Sequence, residues 1–333
     1  MEAALARLRG LGELEVHLRD PEVSEILVNS GAEIWVERRG ALTKVGALGD
    51  HDLLHLIERI LAPLGRRVDS TSPIVDARLP DRSRVCAVIP PLAVDGPCLS
   101  IRRFAPHARP LADFTGNAGS ALCAELITSR CNIVVSGATS SGKTSLVAGL
   151  LALIDRDERV ILLEDTAELP VHGGHVVRLE ARPSSPDGPA AVSLRDLVRA
   201  ALRLRPDRLV VGEVRGDEVL GLVQALNTGH DGSLTTCHAN GPLDALYRLE
   251  TLLLQAAPGW PLPAIRQQLG RSIDAIVHVA RRADGRRAID AIVEVDLPDH
   301  DDPNPTLHVT SLGTARAGRL VVAGDRTRRR NTE

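Results

Sequence analysis

The sequence predicts an α/β chain in two parts: a smaller α+β unit over residues 1–104 and a larger unit over 119–300 built of alternating strands and helices. Three observations carry this reading. Apolar runs at 133–135, 160–163 and 209–211 are each followed by a polar or glycine-containing segment, the pattern of a mostly parallel sheet. From about 105 to 118 the composition shifts to Pro, Gly, Asn and Asp with little periodicity, which marks a linker. A length of 333 residues is enough for two domains with separate cores.

Taken in order, an opening helical stretch is broken at Leu18-Arg19-Asp20-Pro21. Ile26-Leu27-Val28 and Ile34-Trp35-Val36 read as a strand pair joined across Ser30-Gly31, with a further turn at Arg39-Gly40. Leu53, Leu54, Ile57, Ile60 and Leu61 recur at helical spacing and predict an amphipathic helix facing a core. Val85 to Ile89 and Leu99 to Ile101 read as strands around Pro90-Pro91. In the second part, residues 243–280 look largely helical, with a stripe of Leu243, Leu246, Leu249, Leu252 and Leu253. Ile289 to Val295 predicts a late strand. Residues 301–333, rich in Asp, Pro and Arg and ending in Arg326-Thr327-Arg328-Arg329-Arg330-Asn331, are expected to form a polar, mobile tail.

Composition narrows the function. A net charge of −3 and an aromatic content of 2% give little support to a protein that coats nucleic acid or stacks single-stranded bases. The five scattered cysteines, Cys86, Cys98, Cys123, Cys131 and Cys237, include no C-x-x-C pair, against both a disulfide framework and a zinc module. No segment approaches 18 consecutive apolar residues and the N-terminus lacks signal-peptide order, so a cytoplasmic protein is expected, able to dock peripherally at the inner face of the cell membrane.

The most specific motif is Gly137-Ala138-Thr139-Ser140-Ser141-Gly142-Lys143-Thr144, followed by Ser145. It fits G-x-x-x-x-G-K-[ST] between an apolar strand and a helix. Loop amides and the helix N-terminus would hold phosphate oxygens, Lys143 would reach the β/γ-phosphates and Thr144 would bind Mg²⁺. Among 40 Lys+Arg residues only Lys44 and Lys143 are lysine, so Lys is retained where a compact ammonium is needed. The chain is therefore expected to bind a nucleoside triphosphate.

Three segments follow. A buried-looking strand ends in Glu164, Asp165 and, after two residues, Glu168; carboxylates at such a strand end hold Mg²⁺ or orient an attacking water. A second strand ends Val211-Gly212-Glu213, the layout of a Walker B element with Gly where many such proteins have Asp, leaving Glu213 the metal-side or water-activating role. Arg215 would pair with an acidic neighbour or face a subunit boundary. The third, from Thr228 to Asn240, holds His230 and His238 at a spacing that does not suit a zinc helix; they are expected to sense the γ-phosphate or transmit its loss, the alternative being satisfied structural histidines.

The segments GATSSGKTS, LLEDTAEL, LRPDRLVVGEVRG and TGHDGSLTTCHAN, with DPEVSEILVN, SPIVDARLPD, LSIRRF and RLE at Arg248-Leu249-Glu250, resemble the type II/type IV secretion ATPase superfamily over about residues 15–296. The likeness is greatest to the Tad-type pilus assembly ATPases, with conjugation-type type IV secretion ATPases next, and the lack of a tetracysteine zinc module favours these branches. The resemblance implies a RecA-like P-loop NTPase motor domain, Mg²⁺-dependent ATP hydrolysis, a homohexameric ring, and an inner-membrane platform protein of a pilus or secretion machine as partner. It implies an acidic box of Glu164, Asp165 and Glu168, a Walker B Glu213 and a histidine box of His230 and His238. Glu168, Arg215, His230 and His238 would sense the nucleotide state, while Glu213 or Glu164 would polarise the water. N-terminal arginines brought to the nucleotide would come from Arg78, Arg84, Arg102 and Arg103. One departure stands out: Arg82 occupies the place of a glycine in the turn before Ser83-Arg84. The competing readings are a DNA-translocating ATPase of the same core fold and a nucleotide-gated scaffold that does not hydrolyse.

Overall fold

The computed structural model describes residues 11–29, 33–38, 40–48, 50–103, 109–171, 174–182, 190–282, 284–296, 302–303, 305–316, 319–324 and 326. The expected turn at Ser30-Gly31, Arg39, the residue Ala105 and the basic run from Thr327 to Asn331 lie outside them. The chain divides into two units, Met1–Pro106 with Asp284–Arg286, and His107–Ala283 with Arg287–Glu333.

The first unit opens with a short helix, α1 (Glu15–Arg19), that stops before Pro21. Six antiparallel strands follow: β1 (Val23–Val28), β2 (Glu33–Arg38), β3 (Ala41–Ala47), β4 (Ile74–Arg78), β5 (Arg84–Val88) and β6 (Cys98–Arg102), in sheet order β3-β2-β1-β6-β5-β4. Helix α2 (Asp50–Leu61) lays Leu53, Leu56, Ile57, Ile60 and Leu61 on one sheet face, against Ile26, Val28, Val36, Val85, Ala87, Leu99 and Ile101. The helical apolar spacing meets the two-residue alternation of the strands there. The other face carries Glu25, Arg84 and Arg102.

The second unit is a nine-stranded sheet in the order β15-β14-β13-β12-β7-β11-β10-β8-β9. Its parallel part comprises β7 (Ile133–Gly137), β8 (Arg159–Glu164), β9 (His175–Glu180), β10 (Arg208–Val211), β11 (Leu234–His238) and β12 (Ala275–Arg281). β13 (Arg287–Val295), β14 (Val309–Arg316) and β15 (Arg319–Val322) continue it antiparallel. Helices α3 (Ala112–Thr128) and α4 (Lys143–Leu151) pack on one face with Val135, Val279 and Ile289. α5 (Leu194–Ala201), α6 (Glu218–Leu226), α7 (Pro242–Ala256) and α8 (Leu262–Ser272) cover the other. Strands covered on both faces read as continuous apolar runs.

Three expectations are corrected. Residues 112–118 are not linker: they begin α3, broken at Gly116 (φ 74°), and Phe114 there is buried. The stretch at 275–280 is not helical but β12, a run of Ile, Val and Ala that suits a buried parallel strand. Residues 309–316 and 319–322 are not a polar tail; β14 and β15 bury Leu312 and Leu320 in the α3/α4 core. Arg326 is likewise enclosed, its guanidinium donating to Cys131 Sγ (2.9 Å) and lying near Glu125 (3.7 Å) and Glu294 (3.9 Å).

Candidate functional site

The phosphate-loop motif connects β7 to α4, and its two outer glycines are fixed by packing. A Cβ at Gly137 would stand 2.4 Å from Val279 O and 2.5 Å from Ser141 Oγ. Gly142 has φ +104°, and a Cβ there would meet the Arg287 side chain at 2.7 Å. Ser140 also takes a positive φ, 59°. The buried Ser141 hydroxyl has no hydrogen-bond partner among the described residues. A tight loop, a buried hydroxyl left over and a helix N-terminus together fit a phosphate chain. Lys143, 8% exposed, folds back over the loop and donates to Gly137 O (2.9 Å) and Ala138 O (3.0 Å). Thr144 and Ser145 stand half-buried in the first turn of α4.

Strand register brings the other groups to this loop. β11 runs beside β7 with His238 opposite Gly137, so the imidazole reaches the lysine, Nζ to Nδ1 at 3.3 Å. Glu213 leaves the end of β10, the next strand; its Oε1 lies 2.8 Å from His238 Nε2 and its Oε2 accepts from Arg215. Lys143, His238, Glu213 and Arg215 thus form one chain of contacts. Burial pushes the His238 pKa down; Glu213 opposes this, and Lys143, Arg215 and Arg248 add to it. The hydrogen bond that Arg215 donates to Glu213 raises the Arg215 pKa, and the charges of Asp165 and Glu168 act in the same sense.

Glu164 does something the motif did not reveal. Its Oε1 accepts from the amides of Glu168 (2.8 Å) and Leu169 (2.9 Å), while Oε2 lies 3.6 Å from Arg178. The carboxylate therefore closes the acidic segment into a turn that presents exposed Asp165 and half-buried Glu168. Burial raises its pKa, partly offset by those amides. Its stem also accounts for Gly212: a Cβ at 212 would stand 3.0 Å from Glu164 Cγ and 3.4 Å from Leu163 O. The space a side chain at 212 would enter is filled by the Glu164 stem.

His230 is not brought to the cluster. It precedes β11, and its Nδ1 donates to Ala225 O at 3.1 Å, in the last turn of α6. His238 closes the same strand, and four strand steps from Leu234 to His238 span roughly 13 Å. Gly232 beside it is needed because a Cβ would meet Arg208 Nη1 at 2.5 Å. Arg208 is buried in a bidentate pair with Glu158 (2.7 and 2.8 Å). That half of the histidine box belongs to a structural polar network.

In the first unit, register sorts the four arginines. Arg78 pairs with Arg84 and Arg84 with Arg102, and Glu25 stands opposite Arg102 on the other side. Residues paired across strands share a face, so three guanidinium groups form a row across β4, β5 and β6 on the face away from α2. Arg103, one residue on, is used differently: its Nη1 donates to the carbonyls of Asp20 and Val23 (the latter 3.2 Å). Arg82 takes the left-handed conformation, φ 71°, that a glycine would adopt in this turn. Asp81 holds the turn by accepting from Ser83 N (2.9 Å) and Ser83 Oγ (2.8 Å).

Sequence reasoning missed a buried pair. His278 Nδ1 and Ser136 Oγ lie 2.9 Å apart across β12 and β7, one residue before Gly137. Burial lowers the His278 pKa. The only signal was a histidine inside an apolar strand run.

Comparison with known proteins matches residues 8–323 to the type II/IV secretion system protein family. A Mycobacterium tuberculosis (strain H37Rv) protein named for conjugal transfer is 38% identical over 295 residues, 85% of this chain and 83% of that protein. The conjugal transfer protein TrbB of Rhizobium radiobacter is 35% identical over 290 residues, 84% of this chain and 86% of its own length. Among solved structures, the Legionella pneumophila ATPase DotB superposes with a TM-score of 0.62 at 22% identity, covering 82% of this chain and 77% of that one, which shows a shared fold.

Proposed function

The chain belongs to the type II/IV secretion system protein family, and on that footing we propose that it is a Mg²⁺-dependent ATPase whose turnover drives a secretion, pilus-assembly or conjugation machine. The observation that carries this reading is the contact chain from Lys143 through His238 to Glu213. It joins the residue that would hold the phosphates to the acid that would act on water.

In the proposed reaction a water oxygen forms a bond to the γ-phosphorus and the bond from that phosphorus to the β–γ bridging oxygen breaks; the water proton passes to solvent by way of Glu213. Loop amides from Gly137 to Thr144 and the Lys143 ammonium hold the phosphates in line. Thr144, Asp165 and Glu213 are the oxygen donors that would hold Mg²⁺ directly or through water, which supplies charge neutralisation across the phosphates. Among the described residues no group of three His, Cys, Asp or Glu side chains converges on a ready-made metal site, as suits an ion held mainly by phosphate and water. Glu164 acts through position: it fixes the turn that carries Asp165 and Glu168. His238, with its imidazole between Lys143 and Glu213, relays loss of the γ-phosphate to Glu213 and Arg215.

The row Arg78–Arg84–Arg102 supports the part of the proposal in which N-terminal arginines act on a nucleotide's phosphates in a homohexameric ring. Arg103 drops out of that set. No described helix is long and apolar enough to cross a membrane, consistent with a cytoplasmic motor that docks on an inner-membrane platform protein. Of the Tad-type and conjugation-type readings, the conjugal-transfer relatives support the second. Phosphate release and nucleotide binding on the full chain test the reading. Glu213→Gln is expected to lose turnover by about 10²–10⁴-fold with binding intact, and Lys143→Ala to lose binding. Turnover that survived both Glu213→Gln and Glu164→Gln would sink it.

A further inference from the structure

The phosphate loop is covered on the side away from β11 by the β12–β13 hairpin. β12 follows β7 in register as far as His278 opposite Ser136, then runs on to Arg281, past the last strand residue of β7. In the hairpin Val279 pairs with Ile289, and Arg281 with Arg287. Val279 and Ile289 both pack in the core that contains Leu146 and Leu150 of α4. Side chains two residues along a strand return to the same face, so Arg281 and Arg287 project on the side of the sheet where α4 begins.

The contact at Gly142 places Arg287 more closely. A Cβ built there would lie 2.7 Å from Arg287 Cδ, 3.4 Å from Cγ and 3.5 Å from Cβ. The whole aliphatic stem therefore rests on the residue that caps α4, directly before Lys143. Ser141, beside it in the chain, keeps a buried hydroxyl (1% exposed) with no hydrogen-bond partner among the described residues. An arginine that is half-buried as a residue, with its stem seated at a helix N-terminus, suits an oxyanion better than a lysine would, because its planar fork holds two oxygens at once.

We infer that Arg287 is a nucleotide-binding residue of the motor unit, its stem shaping the loop at Gly142 and its guanidinium taking a phosphate group from the β13 side. The inference rests on the ATPase reading and adds a cation from the same chain, distinct from Lys143. Arg281, opposite it, supplies a second positive charge on that face.

The test uses the full chain with Arg287→Met, which keeps the stem and removes the charge, and Arg287→Lys, which keeps both in part. Displacement of a fluorescent nucleotide by ATP, ADP and pyrophosphate gives the affinities, and thermal unfolding monitors the fold. The expected result is about tenfold weaker binding of all three by Arg287→Met, most of it restored by Arg287→Lys, with KM raised more than kcat is lowered and the unfolding midpoint unchanged. Wild-type affinity in Arg287→Met while Lys143→Ala loses binding would overturn the inference alone. So would equal losses in both Arg287 variants with a lowered unfolding midpoint, since that is a packing effect. A wild-type chain that binds no nucleotide, with Lys143→Ala no different, would overturn the ATPase reading itself and this inference with it.

Discussion

Introducing the missing Walker B aspartate by Gly212→Asp is expected to break the site rather than improve it. The backbone at 212 cannot give way: its amide donates to Leu163 O at 2.8 Å and its carbonyl accepts from Thr236 Oγ1 at 2.7 Å. Gly212→Ala alone places a methyl 3.0 Å from Glu164 Cγ, so the glutamate stem must shift by a few tenths of an ångström. Overpacking of this kind costs about 1–3 kcal/mol, against roughly 0.4–1 kcal/mol gained from a stiffer unfolded chain. The net expectation for the alanine variant is a loss of about 0–2.6 kcal/mol. Aspartate adds a second carboxylate beside Glu164, whose pKa burial already raises, and the loss grows to about 3–5 kcal/mol. Because Glu164 Oε1 holds the amides of Glu168 and Leu169, the acidic segment moves with it and phosphate release falls in both variants. Urea unfolding and steady-state phosphate release read the two effects. A Gly212→Asp protein as stable and as active as wild type would refute the claim that Glu164 owns this space.

Three further outcomes are expected. Arg82→Gly removes a left-handed non-glycine residue, which costs about 1–2 kcal/mol, and returns part of that as backbone entropy; a small rise in urea midpoint is expected, and a clear fall would show that the Arg82 side chain outweighs the strain. Arg103→Ala strips the donor from the carbonyls of Asp20 and Val23 and should cost about 1–3 kcal/mol, whereas Arg84→Ala and Arg102→Ala remove groups of the row proposed to act on phosphate and should lower turnover by more than Arg103→Ala does. The reverse ranking in unfolding and phosphate-release assays would refute the division. Burial depresses His278, a stronger effect than the opposing pull of Asp290 and Asp244. The unfolded histidine therefore binds a proton first, and stability must decline as pH drops below about 6.5. His278→Gln should flatten the unfolding midpoint between pH 5 and 7, and an unchanged slope would mean that other groups set the acid limit.

What the sequence made legible is what depends on near neighbours along the chain. The loop from Gly137 to Thr144 and the helix stripe through Leu53, Ile57 and Ile60 are short-range patterns, and each lands where expected. The antiparallel extension was harder: β14 and β15 bury only a few apolar residues among Arg, Gly and Thr, so their pairing rather than their composition defines them. Gly212 looked like a departure from the Walker B pattern because its reason, the Glu164 stem, comes from a strand 48 positions earlier.

The hardest distinctions were between residues that look equivalent in a motif. Arg102 and Arg103 are adjacent, yet strand alternation sends one to the charged row and the other to the carbonyls of Asp20 and Val23. His230 and His238 share one motif, but β11 lies between them and carries only the second to the end of the sheet where Lys143 stands. In both pairs the deciding quantity is position within a strand, which composition does not encode and register does. The same logic gives His238 its role. Because β11 sits between β7 and β10, a residue at its end can touch Lys143 on one side and Glu213 on the other. No residue at the end of β8 or β12 reaches both by that route, since each is a neighbour of only one of those two strands. Of the two histidines of the box, His238 is therefore the one placed to contact both Lys143 and Glu213.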